Sequence, residues 1–120
     1  MMSLVQTERR AAADVIDWAH SALALNYGEI GVALKTTERT VRRWRTCKFT
    51  PRGAARDRLE TLRELRHLLT AVFGTETAAA EWLHSSVPAL RGRTPASLLR
   101  TGAIESVIEL LATIESGAYV

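Results

Sequence analysis

Cysteine, proline, glycine and long apolar runs are all scarce in this sequence. One cysteine among 120 residues excludes an internal disulfide, and with it a small disulfide-stapled secreted scaffold. Three prolines and seven glycines exclude a collagen-like repeat and a proline-rich linker. No uncharged stretch reaches the ~18 apolar residues that a membrane helix needs, and the charged start MMSLVQTERR does not resemble a signal peptide. We therefore expect a soluble, cytoplasmic protein without a membrane partner.

Positive charge is concentrated in one part of the first half. Residues 1–60 carry 11 Lys/Arg against 7 Asp/Glu, whereas residues 61–120 carry 5 against 6. Within residues 35–58, nine basic residues face only two acidic ones. Residues 101–120 contain three glutamates and no Lys or Arg. A basic N-terminal half and a mildly acidic C-terminal half are expected when two faces of a protein bind two different partners.

Hydrophobic spacing predicts an all-α fold. Apolar residues recur at helical intervals, and no segment alternates convincingly as a strand does. The predicted helices cover residues 9–25, 27–34, 37–46, 51–73, 76–85, 95–100 and 103–116. Gly74 is suited to end one helix and Thr75 to cap the next, which marks a natural boundary. We therefore predict two units, residues 1–74 with the long connecting helix and residues 75–120.

Residues 27–46 have the pattern of a helix-turn-helix. A small residue, Gly31, lies where the two helices would cross, so that their backbones can approach closely. The apolar positions of the motif are occupied by Ile30, Leu34, Val41 and Trp44. One position departs from the pattern, because Lys35 stands where the tight turn commonly has glycine.

With those apolar residues buried, the second helix would present polar and basic side chains to the major groove of DNA. Arginine can bind guanine in a bidentate way, and basic side chains also hold phosphates. The predicted DNA-binding residues are Thr37, Glu38, Arg39, Arg42, Arg43, Arg45, Lys48 and Arg52. The alternative interpretation is a solvated basic face on a structural hairpin. Because a lone module with few phosphate contacts binds weakly at physiological salt, we expect a dimer or a larger complex.

Catalysis and metal binding find little support in the sequence. His20, His67 and His84 lie on separate predicted helices, without the spacing of metal ligands. No histidine or carboxylate is placed by sequence to activate Cys47, and there is no glycine-rich phosphate loop. We therefore predict a protein that is not an enzyme and that uses no metal and no cofactor.

The C-terminal half carries a more specific pattern. It consists of Trp82-Leu83, Pro88, Leu90, Gly92, Pro95, Leu98-Leu99, Gly102 and a last helix that ends at Gly117. This order resembles the toxin-binding domain of the MbcA/ParS/Xre antitoxin family. The preceding helix-turn-helix has the placement usual in that family, so that the resemblance covers most of the chain beyond residue 25.

The resemblance implies an antitoxin of a type II toxin–antitoxin pair. The partner would be a RES-domain toxin that consumes NAD and that the antitoxin silences by direct binding. In the family the C-terminal domain also dimerises, the end of the chain reaches into the active-site cleft of the toxin, and the helix-turn-helix represses the pair's own promoter. The toxin-binding residues implied here are Trp82, Leu98, Leu99, Ile104, Ile108, Leu111, Gly117, Ala118, Tyr119 and Val120.

The last residues are unusual even without the resemblance. Chain ends are usually polar unless they are tied down, but Tyr119 and Val120 are apolar. A tyrosine and a terminal carboxylate both suit a cationic nucleotide-binding cleft. The alternative is that these residues pack on their own subunit or across a homodimer. Two other functions also remain open: a stand-alone transcriptional regulator whose C-terminal half serves only dimerisation, and an adaptor that never touches DNA.

Overall fold

The computed structural model describes residues 3–117, and every regular element in this range is helical. The elements are α1 (Leu4–Ser21), α2 (Tyr27–Ala33), α3 (Glu38–Arg45), α4 (Gly53–Phe73), α5 (Glu76–Leu83), a 3-10 turn (Pro88–Leu90), α6 (Pro95–Arg100) and α7 (Ile104–Glu115). The prediction of an all-α fold is therefore confirmed. None of the described helices is long and apolar enough to cross a bilayer.

The first helix differs most from its prediction. It begins at Leu4 rather than at residue 9, because Ser3 and Gln6 cap it reciprocally. The Gln6 backbone N–H donates to Ser3 Oγ at 3.2 Å, and the Ser3 N–H donates to Gln6 Oε1 at 3.1 Å. The helix also ends earlier than predicted, at Ser21, and buried Leu23 belongs to the segment that follows it.

The predicted helix boundaries near residues 74 and 94 are confirmed by their caps. Gly74 ends α4 with a φ of 80°, and the Thr75 hydroxyl accepts the Ala78 N–H at 3.1 Å. Thr94 caps α6 in the same way, ahead of a proline at the first helical position. In contrast, α4 begins at Gly53, two residues later than predicted, because the preceding residue is still extended.

A single apolar core runs through the described chain. The leucines of the inward face of α4 are Leu59, Leu62, Leu65 and Leu69. Around this helix pack α1, α5 and α7, while α2 contacts α1, α3 and α6. Fully burying one leucine stabilises the fold by about 1.5–3 kcal/mol. The four leucines thus make α4 the helix on which α1, α5 and α7 are positioned, and α1 in turn positions α2 and α3.

Candidate functional site

Helices α2 and α3 cross closely at one glycine. A Cβ atom on Gly31 would lie 3.0 Å from the Thr36 carbonyl oxygen and 3.2 Å from the Glu38 backbone nitrogen. The predicted role of Gly31 as the crossing residue is therefore confirmed. The turn between the helices places Lys35 at a φ of 54°, the left-handed conformation that glycine adopts most readily.

All eight residues predicted to bind DNA are exposed on or beside α3. They are Thr37, Glu38, Arg39, Arg42, Arg43, Arg45, Lys48 and Arg52. The opposite side of α3 is buried through Val41 and Trp44. Thr37 is also the N-cap of α3, and its hydroxyl accepts the Thr40 N–H at 3.1 Å. These eight exposed residues are hereafter called the basic face; Glu38, Arg39, Arg42, Arg43 and Lys48 line one groove, and Arg52 is the N-cap of α4.

The cations of the basic face are not equally available. Arg42 lies 3.6 Å from Glu38, and Arg45 lies 3.2 Å from Asp17 on α1. Within residues 3–117, the basic-face residues that take part in no ion pair are Arg39, Arg43, Lys48 and Arg52. Arg42 and Arg45 can bind a phosphate only in competition with their carboxylate partners. Among the described residues, the four other basic side chains have no such competitor.

Tyr27, which is not among the predicted DNA-binding residues, orders part of this surface. The guanidinium groups of Arg42 and Arg45 lie 4.8 and 4.7 Å from the centre of the Tyr27 ring. The ring of His20 stacks on the same tyrosine, with centroids 4.5 Å apart. Cation–π contacts of this kind are worth about 0.5–1 kcal/mol at exposed sites. Tyr27 therefore restricts the two arginines to the outer side of α3.

A second aromatic residue lies at the other end of the basic face. Phe49 is 40% exposed, and the Arg43 guanidinium lies 4.3 Å from its ring centre. Together with Arg39 and Lys48 they line an open groove of about 550 Å³. Aromatic rings among cations are typical of nucleic-acid-binding surfaces. Phe49 is not among the predicted DNA-binding residues, although its position among basic residues in the sequence is a visible signal.

Arg58, which also lies within the basic residues 35–58, is not part of the basic face. The Arg58 side chain, only 12% exposed, donates from Nε to the Ala33 carbonyl at 3.1 Å and from Nη2 to the Gly102 carbonyl at 2.7 Å. Its Nη1 donates to the Glu105 carboxylate. Arg58 therefore joins α4 to the end of α2, to the turn before α7, and to α7. We call this arrangement the Arg58 clasp.

Several residues predicted to bind a toxin are buried in the protein's own core. Leu99, Ile104 and Leu111 have no exposed surface, and Leu98 is 8% exposed. Ile108 is half-buried against the core. These side chains hold α6 and α7 in place, and a partner docking on the outside of this folded unit would meet their exposed neighbours instead.

The remaining predicted toxin-binding residues fall into two groups. Trp82 is half-buried, and its ring centroid lies 5.3 Å from that of Phe73. Gly117 is exposed just beyond α7, with a φ of 75°. Ala118, Tyr119 and Val120 lie outside the described residues.

The outer side of α7 is polar and acidic. Its exposed residues are Glu105, Ser106, Glu109, Ala112, Thr113 and Glu115. Hereafter we call this surface the acidic face. A hydrogen bond from its own backbone N–H, helped by the charge and hydrogen bond of Arg58 and the charge of Lys35, outweighs the opposing effect of burial and lowers the pKa of the Glu105 carboxyl. This carboxyl is therefore held in its charged form at neutral pH.

No group of three or more metal-ligating side chains occurs among residues 3–117. The thiol of Cys47 is exposed, at the end of α3.

The comparisons with known proteins point to one family. A family model described as "Antitoxin Xre/MbcA/ParS C-terminal toxin-binding domain" matches residues 68–117. The chain is 29% identical over 108 residues to the mycobacterial cidal antitoxin MbcA of Mycobacterium tuberculosis, covering 90% of this chain and 95% of that protein. The MbcA of Mycobacterium bovis matches to the same extent.

A solved structure is also similar along nearly the whole chain. It is the crystal structure of the M. tuberculosis MbcT–MbcA toxin–antitoxin complex, one chain of which matches with a TM-score of 0.58 and 29% identity. The match covers 90% of this chain and 96% of that one. A probable mycobacterial cidal antitoxin of M. tuberculosis is 30% identical over 109 residues, 91% of each protein. With this relative and the matching C-terminal domain, the chain belongs to the Xre/MbcA/ParS family of antitoxins.

Proposed function

We propose that this antitoxin binds and inhibits a RES-type toxin that degrades NAD. The observation that carries the proposal is the match of residues 68–117 to a toxin-binding domain, in a chain whose structural neighbour was solved in a complex with a toxin. The proposal assigns residues 75–120 to toxin binding and residues 1–74 to DNA binding. It gives the protein no catalytic role.

The acidic face and the tail beyond it are the proposed toxin-contacting surface. The apolar side of α7 is already packed on the core, so the groups that α7 offers to a partner are carboxylates and small polar side chains. Such groups complement the cationic cleft expected in an enzyme that binds a dinucleotide. Residues 117–120 would add a tyrosine ring.

Deleting residues 117–120 tests the tail. We expect the deletion to abolish neutralisation of the toxin while the helical circular dichroism spectrum and DNA binding stay unchanged, because α7 ends before the cut. The matched control is Tyr119→Phe, which keeps the ring and removes only the hydroxyl. Full neutralisation by the truncated chain would refute the role of the tail.

We also propose that the basic face binds the operator of the toxin–antitoxin pair. Its support is the set of exposed cations on α3, the buried opposite side of that helix, and the close crossing at Gly31. The double variant Arg42→Ala/Arg43→Ala should lose binding to a DNA fragment from its own promoter. Unchanged binding would favour an adaptor that does not touch DNA.

The second candidate function is a stand-alone transcriptional regulator with a C-terminal dimerisation domain. The basic face favours it, since this surface alone would suffice for such a protein. The tail deletion distinguishes the two candidates, because a stand-alone regulator does not neutralise a toxin and the deletion would therefore change nothing.

A further inference from the structure

The exposed Phe49 ring lies on a segment that is fixed on both sides. Before it, Cys47 takes the left-handed conformation that often follows a helix, with a φ of 60°, and its N–H donates to the Trp44 carbonyl at 3.3 Å. After it, the Thr50 hydroxyl accepts a hydrogen bond from Arg9 Nε of α1 at 2.9 Å. The chain therefore holds this ring in place beside α3.

The Phe49 ring orients one arginine of α3. The Arg43 guanidinium lies over this ring, and Arg43 takes part in no ion pair within residues 3–117. Arg42 and Arg45 instead share the Tyr27 ring, and each of them also has a carboxylate partner. A cation–π contact orients a guanidinium without using its N–H donors, whereas an ion pair uses some of them. Arg43 is therefore both oriented and able to donate.

The arginines of α3 form two rows. Because successive residues of an α-helix are rotated by about 100° about its axis, residues four apart lie in the same row. Arg39 and Arg43 share the row farther from the buried Val41 and Trp44, whereas Arg45 lies nearer to α1. With the outer side of α3 in the major groove, the first row faces the base edges and Arg45 is close to the phosphates at the rim.

Guanine is the base that best fits an arginine held in this way. The planar fork of N–H groups on a guanidinium matches the O6 and N7 acceptors that guanine presents in the major groove. Phosphates are the same along any sequence, so contacts to them fix the position of the protein but carry no sequence information. An oriented arginine with free donors therefore suits the recognition of a base.

We infer that Phe49 positions Arg43 to bind a guanine base of the operator. Arg42 and Arg45, in the row that the Tyr27 ring orients, bind phosphates. The inference rests on the proposed operator binding and deepens it. It assigns the recognition of sequence to one row of α3, and it adds a residue beyond the helix, Phe49, as a determinant of specificity.

Fluorescence anisotropy with two DNA duplexes tests this division. One duplex is a fragment of the protein's own promoter, and the other has a scrambled sequence of the same length and base composition. The affinity for the first divided by that for the second is the discrimination ratio. Arg43→Ala should lower this ratio at least about 5-fold, as expected for the loss of a bidentate base contact. Phe49→Leu should lower it about 2- to 5-fold, the contribution of an exposed cation–π contact.

Tyr27→Leu is the matched control, because it removes the other aromatic ring that contacts arginines of α3. It should lower the affinity for both duplexes by the same factor and leave the discrimination ratio unchanged. A fall in the ratio as large as that of Phe49→Leu would overturn the division between the two rows.

Two further variants distinguish positioning from direct contact. Phe49→Tyr keeps the ring and should keep the discrimination ratio. In an Arg43→Ala background, Phe49→Leu should have no additional effect, since a positioning residue acts only through the residue that it positions.

Three results would overturn the inference. A full effect of Phe49→Leu in the Arg43→Ala background would mean that Phe49 itself touches the DNA. An unchanged ratio for Arg43→Ala, or for Phe49→Leu alone, would also overturn it, although operator binding would stand. A wild-type protein without preference for the promoter fragment would refute the proposed operator binding and the inference together.

Discussion

The basic face and the acidic face are built in the same way but carry opposite charges. In both α3 and α7, one side is apolar and packs on a common core, through Trp44 in the first and Leu111 in the second. The outer side of α3 presents arginines, whereas that of α7 presents glutamates. The inward residues therefore determine where each helix lies, and the outward residues determine what it attracts.

The Arg58 clasp connects these two regions. It holds the carbonyl at the end of α2 and the turn before α7 through one guanidinium group. The carbonyl groups at the C-terminal end of a helix have no hydrogen-bond donor within the helix, so a side chain that donates to them stabilises the fold. The elements next to the basic face and the acidic face are therefore tied together by a residue that belongs to neither face.

Breaking the clasp should have the largest effect on the fold. Arg58→Met leaves two backbone carbonyls and the Glu105 carboxylate without their donor, and we expect the free energy of unfolding to fall by about 2–4 kcal/mol. Urea denaturation followed by circular dichroism measures this change. The control is Arg10→Met, the same exchange at an exposed position of α1, which should change stability by less than about 0.5 kcal/mol. Equal effects at both positions would contradict the role of the clasp.

Forcing α2 away from α3 should lower the free energy of unfolding somewhat less than breaking the Arg58 clasp. Gly31→Ala puts a methyl group against the backbone of residues 36–38, and we expect a loss of about 1–3 kcal/mol in unfolding free energy together with weaker DNA binding. Gly28→Ala is the control, because its Cβ would meet side-chain atoms rather than backbone, Asn26 Oδ1 at 3.3 Å and Glu38 Oε1 at 3.6 Å. Thermal unfolding of both variants should give a lower melting temperature for Gly31→Ala alone.

The difference between basic side chains that pair with a carboxylate and those that do not should be visible in the salt dependence of DNA binding. The variant Arg39→Ala/Lys48→Ala removes two cations that form no ion pair among residues 3–117, so the slope of log K against log salt should fall by about 2, or about 1 for each cation. Removing Arg45, which pairs with Asp17, should change the slope by less than about 1. Fluorescence anisotropy with a promoter fragment at several salt concentrations measures both. A change of about 1 or more for Arg45→Ala would mean that the Asp17 pair does not persist in the complex.

The smallest expected effect concerns pH. The lowered pKa of Glu105 means that its charged form stabilises the folded state above the ordinary carboxylate pKa, and that this contribution is lost as pH falls through the lowered value. Glu105→Gln should therefore reduce stability at pH 7 and lose this difference in acid. Because the side chain is 59% exposed, the difference should stay below about 1 kcal/mol. Unfolding curves at pH 7 and pH 3 test the sign, and an equal difference at both would contradict it.

Local rules predicted much of this fold from the sequence. The caps at Thr75 and Thr94, the crossing at Gly31 and the buried side of α3 each follow from residues within one or two turns. The Arg58 clasp depends on three segments that only the tertiary fold brings together. Its one local signal is that Arg58 lies on the same helical stripe as Leu62, four residues later.

The sequence did not indicate in the same way which of the predicted toxin-binding residues lie in the core and which are exposed. A family pattern marks Leu99, Ile104 and Leu111 as important without indicating whether they face a partner or the core. Burial distinguishes these possibilities, and it depends on the packing of α6 and α7 against α4 and α5. The start of α1 was missed because its first turn is exposed and has no apolar stripe, although Ser3 and Gln6 have the spacing of a capping box.

The most direct test of the central claim is the NAD content of cells that express the gene neighbouring that of this antitoxin, which we propose to encode a RES-type toxin. With the toxin alone, NAD should collapse. With the full chain co-expressed it should be maintained, and with the chain lacking residues 117–120 it should collapse again. An NAD content that never falls, or that falls equally with and without the antitoxin, would contradict the proposed function and leave the stand-alone regulator as the better account.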